Sequence, residues 1–219
     1  MATTSDTPEK ETPQIYLVTP ASFDLDSFPA ALAAVLDANE VACLRLALAS
    51  KDEDDVARAA DALREICHAR DVAIVIEAHV QLVERLGLDG VHLATGSRSV
   101  RNVRKELGAD AIVGCYCAAS RHDGMTAAEI GADYVSFGPV GESGLGDGTR
   151  AEDDLFQWWS DVIEVPVVAE GALTLADITR LTPITDFFAI GDEIWKSDSP
   201  AQALADIIAT INAAMPTTA

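Results

Sequence analysis

Gly131-Ala-Asp-Tyr-Val-Ser-Phe-Gly-Pro139 is a helix stop, a buried strand and a loop in nine residues. Gly131 can take the left-handed conformation that ends a helix, and Tyr134 to Phe137 form a short β-prone run. Gly138-Pro139 then breaks the chain at the strand's carboxyl end. The same grammar recurs at Gly87-Leu-Asp-Gly-Val-His-Leu93, at Gly108-Ala-Asp-Ala-Ile-Val-Gly114 and at Val165-Pro-Val-Val-Ala-Glu-Gly171. These are strand units of one repeating βα architecture, and active sites of parallel α/β folds lie at the carboxyl ends of the strands.

Working outward from that stretch, strands are expected over 15–19, 42–46, 73–77, 90–93, 111–117, 134–138, 167–170 and 187–190. Amphipathic helices are expected over 27–37, 52–70, 80–86, 100–107, 124–130, 153–162, 175–181 and 200–215. Asp52, Ser99 and Thr174 are candidate N-caps. Eight strands alternating with eight helices, each connection long enough for a right-handed crossover, predict a single-domain α/β (β/α)8 TIM barrel over 14–219. An open doubly wound sheet is the alternative, but the glycine fingerprint it needs after the first strand is absent at Thr19-Pro-Ala-Ser22. Residues 1–13, polar and Pro-containing with nothing to bury, are expected to be a disordered leader.

The formal net charge of −21, from 36 acidic and 15 basic residues, opposes attraction to nucleic acid or anionic lipid. An anionic small ligand would need a local site. No apolar run approaches the ~20 residues of a membrane span. Cys43, Cys67, Cys115 and Cys117 fall on core elements with no secretory leader ahead of them, so a reducing cytoplasm is expected. Cys115-Tyr-Cys117 puts two thiols on one strand face without a second ligand pair, which reads as core packing rather than a metal site.

Function is sought just after each strand: Arg45, Glu77 with His79, His92, Cys117 to Ser120, the loop after Gly138, Glu170-Gly171 and Ile190-Gly191-Asp192. Gly171 and Gly191 follow strands seven and eight, where this fold often binds phosphate on backbone N–H groups; the alternative is that they are turn glycines. His92 reads as structural and His68 as a surface helix residue.

Leu44-Arg45, Asp89-Gly-Val-His-Leu93, Gly131 to Pro139 and Pro166-Val-Val-Ala169 with Gly171, in that order and spacing, resemble the thiamine-phosphate synthase and TenI superfamily of TIM barrels. The resemblance implies a synthase that joins hydroxymethylpyrimidine diphosphate to a thiazole phosphate, releasing pyrophosphate, with Mg²⁺ held by aspartates. It implies ligand contacts from Arg45, Gly138, Gly171, Ile190 and Gly191. Against the family pattern, Gln-Leu-Arg-x-Lys is here Cys43-Leu-Arg-Leu-Ala47, and Asn-Asp-Arg is Glu77-Ala78-His79. Ser97 stands near the second expected metal aspartate, and Gly141 to Gly148 is acidic where a cationic Thr-Lys-Lys segment is expected. The histidine of TenI, a thiazole tautomerase, has no counterpart in Tyr116-Cys117-Ala118, and His122 lies further on.

Three readings follow. One is a thiamine-phosphate synthase-like protein binding a phosphorylated thiazole or thiamine-type ligand, with Mg²⁺ entering only if Glu77 substitutes for the missing aspartate and no other cofactor required. The second is a non-catalytic binding or regulatory relative. The third is a metal-free isomerase or lyase using Glu77, His79 and Glu170, two of them carboxylates facing one mouth, where one would have a raised pKa. The expected partner is a phosphorylated small molecule, with self-association into a homo-oligomer left open.

Overall fold

Strand side chains alternate with a period of two, so closing parallel strands into a barrel turns one set inward and the other toward the helices. The computed structural model describes residues 11–215 and has this arrangement. Its strands are β1 (Gln14–Val18), β2 (Cys43–Leu46), β3 (Ala73–Glu77), β4 (Gly90–Leu93), β5 (Ile112–Tyr116), β6 (Tyr134–Phe137), β7 (Val167–Ala169) and β8 (Phe187–Ile190). All pairings are parallel and in sequence order, and β8 closes on β1 from Gln14 opposite Phe187 to Leu17 opposite Ile190. The (β/α)8 TIM barrel is therefore the fold. The first ten residues of the expected leader lie outside the described residues, and β1 begins at Gln14.

The helices are α1 (Phe28–Ala38), α2 (Glu53–His68), α3 (Val80–Leu86), α4 (Val100–Leu107), α5 (Arg121–Glu129), α6 (Asp153–Val162), α7 (Leu175–Leu181), α8 (Asp192–Trp195) and α9 (Pro200–Ala214). Asp52 caps α2 by accepting from Asp54 N, and Thr174 forms a reciprocal capping box with Asp177. Ser99 makes no side-chain cap, because residues 96–99 coil into a 3₁₀ turn that runs straight into α4. Ser120 caps α5, which starts three residues before the expected 124. The four-residue α8 was not expected, being too short to show a period.

The outward strand residues form the main core with the helices. Phe137 of β6 meets Phe156 and Trp159 of α6 edge-on at centroid distances of 6.0 and 5.0 Å. Gly124 of α5 packs against the same rings: a Cβ there would lie 2.7 Å from Trp159 and 2.8 Å from Phe137. All four cysteines are free and buried. The Cys115 and Cys117 sulfurs lie 3.7 Å apart within the outer core.

Two devices recur around the barrel. At its base, the aspartates immediately before β4, β6 and β8 clamp the preceding strand: Asp89, Asp133 and Asp186 accept from Ile74 N (2.7 Å), Val113 N (2.7 Å) and Val167 N (2.8 Å). Each also returns its own N–H to the carbonyl of the residue it clamps. At the rim, alanines just beyond β3, β5 and β7 adopt left-handed conformations, with φ of 64° at Ala78, 48° at Ala118 and 52° at Ala172. Each costs on the order of 1–2 kcal/mol that the surrounding loop must offset.

Candidate functional site

Arg45 is the third residue of β2, with the inward parity of Cys43, and the register sets it between Val18 of β1 and Val75 of β3. Its guanidinium Nη2 donates to Glu170 Oε2 at 2.6 Å, and the other oxygen of Glu170 accepts from Ser136 Oγ at 2.6 Å. Both partners of the ion pair are buried, Arg45 at 6% exposure and Glu170 at 3%. Burial works against the arginine's charge, but Glu170, with the Tyr16 and Tyr134 hydroxyls, outweighs it and holds the proton more tightly than usual. Arg45 Nε is buried without a hydrogen-bond partner; Glu77 Oε2 stands 3.9 Å away.

Beneath this pair lies a chain of polar groups inside the barrel. The Tyr16 and Tyr134 hydroxyls are 2.6 Å apart, and His92 Nδ1 lies 2.9 Å from Tyr134. Arg45 sits 5.6 Å above the Tyr16 ring. Gly114 of β5 makes the room: a Cβ there would lie 1.9 Å from the Tyr134 ring. Burial first and Arg45 second depress His92 well below its ordinary value, so it is a neutral imidazole at pH 7. Burial also raises both phenols far above theirs, with the other phenol adding for Tyr16 and Cys43 for Tyr134. His92 is fully buried in this chain of polar groups, with Tyr134 as its hydrogen-bond partner.

The mouth above Arg45 is a cavity of about 320 Å³ whose walls include Arg45, Glu77, Leu145, Glu170, Gly171 and Gly191. A larger cavity of about 790 Å³ lies to the side, between the loop after β6 and the starts of α6 and α7, and is lined by Arg150, Asp153 and Arg180. The strand-borne polar groups converge on the smaller one. Leu145 belongs to the glycine-rich acidic loop, which therefore reaches over the mouth.

Two loops meet at one side of this mouth. Glu193 of α8 accepts from Gly191 N at 2.7 Å, in the loop after β8, and from Leu173 N at 3.0 Å, in the loop after β7. One carboxylate therefore gathers a backbone donor from each of the two loops singled out as a phosphate site.

Not every expected residue reaches the mouth. His79 precedes α3 and opens on a separate groove with Glu53 and Glu106, so it does not join Glu77 and Glu170. Those two carboxylates do not form a bare like-charge pair, because Arg45 lies between them. Gly138 is used structurally: its N–H donates to Ala118 O, its carbonyl accepts from Tyr116, and a Cβ there would lie 2.3 Å from Glu170 O. Ile190 is fully buried in the outer core, so only its backbone is available to a ligand. Sequence reasoning missed Tyr16, Tyr134, Ser136, Leu173 and Glu193. The tyrosines and Ser136 were legible only as inward parity, and Glu193 as an acid two residues after a glycine.

The donors at the positions where the synthase pattern places its Mg²⁺ ligands differ from that pattern. Glu77 faces a guanidinium, Ala78 has no donor, and Ser97 donates its hydroxyl proton to Asp123 Oδ1 at 3.0 Å. Among the described residues no three His, Cys, Asp or Glu side chains group as a metal site. No described helix is long and apolar enough to cross a membrane.

The family profile for thiamine monophosphate synthase matches residues 15–191, most of the barrel. The chain belongs to the thiamine-phosphate synthase/TenI family. It is 40% identical over 196 residues to the thiamine-phosphate synthase of Rhodospirillum centenum, covering 88% of this chain and 95% of that one. With the thiamine-phosphate synthase of Erythrobacter litoralis it is 39% identical, covering 92% and 98%. The thiamine phosphate pyrophosphorylase of Pyrococcus furiosus superposes with a TM-score of 0.79 at 16% identity, over 93% of this chain and 97% of that one, a likeness of fold.

Proposed function

We propose that this family member works in thiamine biosynthesis, binding a phosphorylated thiazole or thiamine-type ligand at the barrel mouth, with the anion between the loops after β7 and β8. The observation that carries this reading is that Leu173 N and Gly191 N, one from each loop, converge on a single oxyanion, the Glu193 carboxylate. Backbone donors so aimed are what an anionic group needs in a chain with a net charge of −21. The Nε of Arg45, which makes no hydrogen bond and only a long 3.9 Å contact to Glu77, supports the same placement by offering a buried cationic donor in the mouth.

Arg45 also links this anion position to Glu170, and so to Ser136 and the polar groups within the barrel. Glu170 is committed to that pair, and His79 is elsewhere, so acid–base chemistry by Glu77, His79 and Glu170 together has no support in the geometry. Synthase turnover through a Mg²⁺–pyrophosphate complex is likewise expected to be absent, since Ala47, Ala78 and Ser97 stand where the family pattern has charged groups.

The test has two arms on the purified chain. Calorimetric titration with thiazole phosphate should show binding that Gly191→Val weakens by about tenfold or more, because the added methyls fill the space beside the donor while the barrel core is untouched. Equal binding by the variant would rule out the loops as the site. In the second arm, an ordinary rate of thiamine phosphate formation from both substrates with Mg²⁺ would overturn the expected loss of synthase chemistry.

A further inference from the structure

Among the described residues Glu193 makes no direct ion pair; the nearby Lys196 feels its charge but is paired with Asp192. The Glu193 carboxylate sits on two backbone N–H groups that belong to different loops, 20 residues away at Leu173 and two residues away at Gly191. Capping its own short helix would explain the Gly191 bond alone. The bond to Leu173 N carries the carboxylate across the gap between the ends of β7 and β8, into the walls of the mouth. Its neighbours there are also acidic: Glu170 is held by Arg45, Asp192 pairs with Lys196 at 2.8 Å, and Glu77 is partly exposed at the rim.

We infer that Glu193 is a specificity-determining residue: its carboxylate takes the backbone donors that a ligand's phosphate would use, so a phosphorylated ligand binds only by displacing it. The inference rests on the site reading above and deepens it. Two anions cannot share one pair of N–H donors at close range without a like-charge cost. A phosphorylated ligand therefore gains the two donor bonds only after releasing those of Glu193, and its net gain shrinks to the difference. A ligand without phosphate leaves Glu193 in place and loses nothing. The consequence is a narrowed preference for the phosphorylated over the unphosphorylated form, set by one side chain that is half-buried and has open mouth beside it. Specificity of this kind comes from what the site withholds as much as from what it offers.

The experiment compares the full chain with Glu193→Ala and Glu193→Gln, titrating each with inorganic phosphate, thiazole phosphate and the unphosphorylated thiazole alcohol. Glu193→Ala frees both donors and is expected to tighten the two phosphate ligands by about tenfold or more, since hydrogen bonds to a charged group are among the stronger ones. The alcohol should bind unchanged. Glu193→Gln keeps the side chain's size and one acceptor oxygen, removes the charge and releases one donor, so its gain should be smaller and in the same direction. If the alanine variant loses thermal stability, the glutamine variant still reads the effect. Phosphate binding that is unchanged or weakened in both variants, with the parent binding thiazole phosphate, would overturn the competitor role and leave the site reading intact, making Glu193 a loop staple. Failure of all three chains to bind either phosphate ligand would overturn both.

Discussion

Arg45 meets Glu170 through one nitrogen, Glu77 more distantly through another, and the Tyr16 ring below. Removing one side of a buried ion pair leaves the other charge stranded, at a cost of about 3–5 kcal/mol. Arg45→Met should lose that much stability in urea unfolding, and adding Glu170→Gln should restore a good part of it; a loss under about 1 kcal/mol would mean that Glu170 finds another partner. The three tyrosines of the chain give a second expectation. Tyr116 is raised to about 12 by burial and by the nearby Glu170 and Asp147, and Tyr16 and Tyr134 are likewise raised well above 10.0, chiefly by burial. The folded phenols thus keep protons that an unfolded chain releases near 10.0, so their contribution to stability is complete below 10.0 and is lost as pH rises through the folded values. Ultraviolet difference titration should show no phenolate near pH 10.0 in the folded protein, and Tyr116→Phe should remove the step near 12. Arg45, Glu77 and Glu170 could be found in the sequence because strand ends can be found. Their pairing could not, since Arg45 and Glu170 are 125 residues apart and nothing local couples them.

At the scale of elements, the strands were readable because each is a short apolar run between glycine, proline and aspartate punctuation. The helices were readable where a stripe of apolar residues lasted two turns. Misses cluster at ends: β5 stops at Tyr116, one residue short of Cys117, and α5 begins where Ser120 accepts from Asp123 N. Asp89, Asp133 and Asp186 look like turn punctuation and instead each make a tertiary bond across to the preceding strand. Asp133→Ala should therefore cost about 1.5–3 kcal/mol, the range for a hydrogen bond to a charged group. Amide exchange at Val113 should quicken more than at other β5 amides; uniform protection along β5 would show that the clamp holds nothing.

For the whole molecule, the barrel topology followed from the alternation together with the missing glycine fingerprint of an open sheet, because a right-handed crossover between parallel strands leaves few ways to arrange eight of them. The mouth was less legible, since it is built from residues scattered over the length of the chain. Net charge is a property at this scale as well. With −21 on 219 residues, self-repulsion opposes the folded state, and salt screens it: the Debye length falls to roughly 3 Å at about 1 M. The melting temperature should rise on going from low to high sodium chloride. A fall would mean that surface pairs such as Arg70–Asp37 and Arg85–Glu53 outweigh the repulsion.

The clamping aspartates stand before β4, β6 and β8, and the left-handed alanines follow β3, β5 and β7. Base and rim therefore share a period of two strands, and three consecutive strand pairs carry both marks. The pair of β1 and β2 carries neither: Ala42 stands where its aspartate would be, and its β1 edge is the one that closes on β8. The molecule is thus modular in quarters, three built to one pattern and the fourth released from it to join the two ends of the chain.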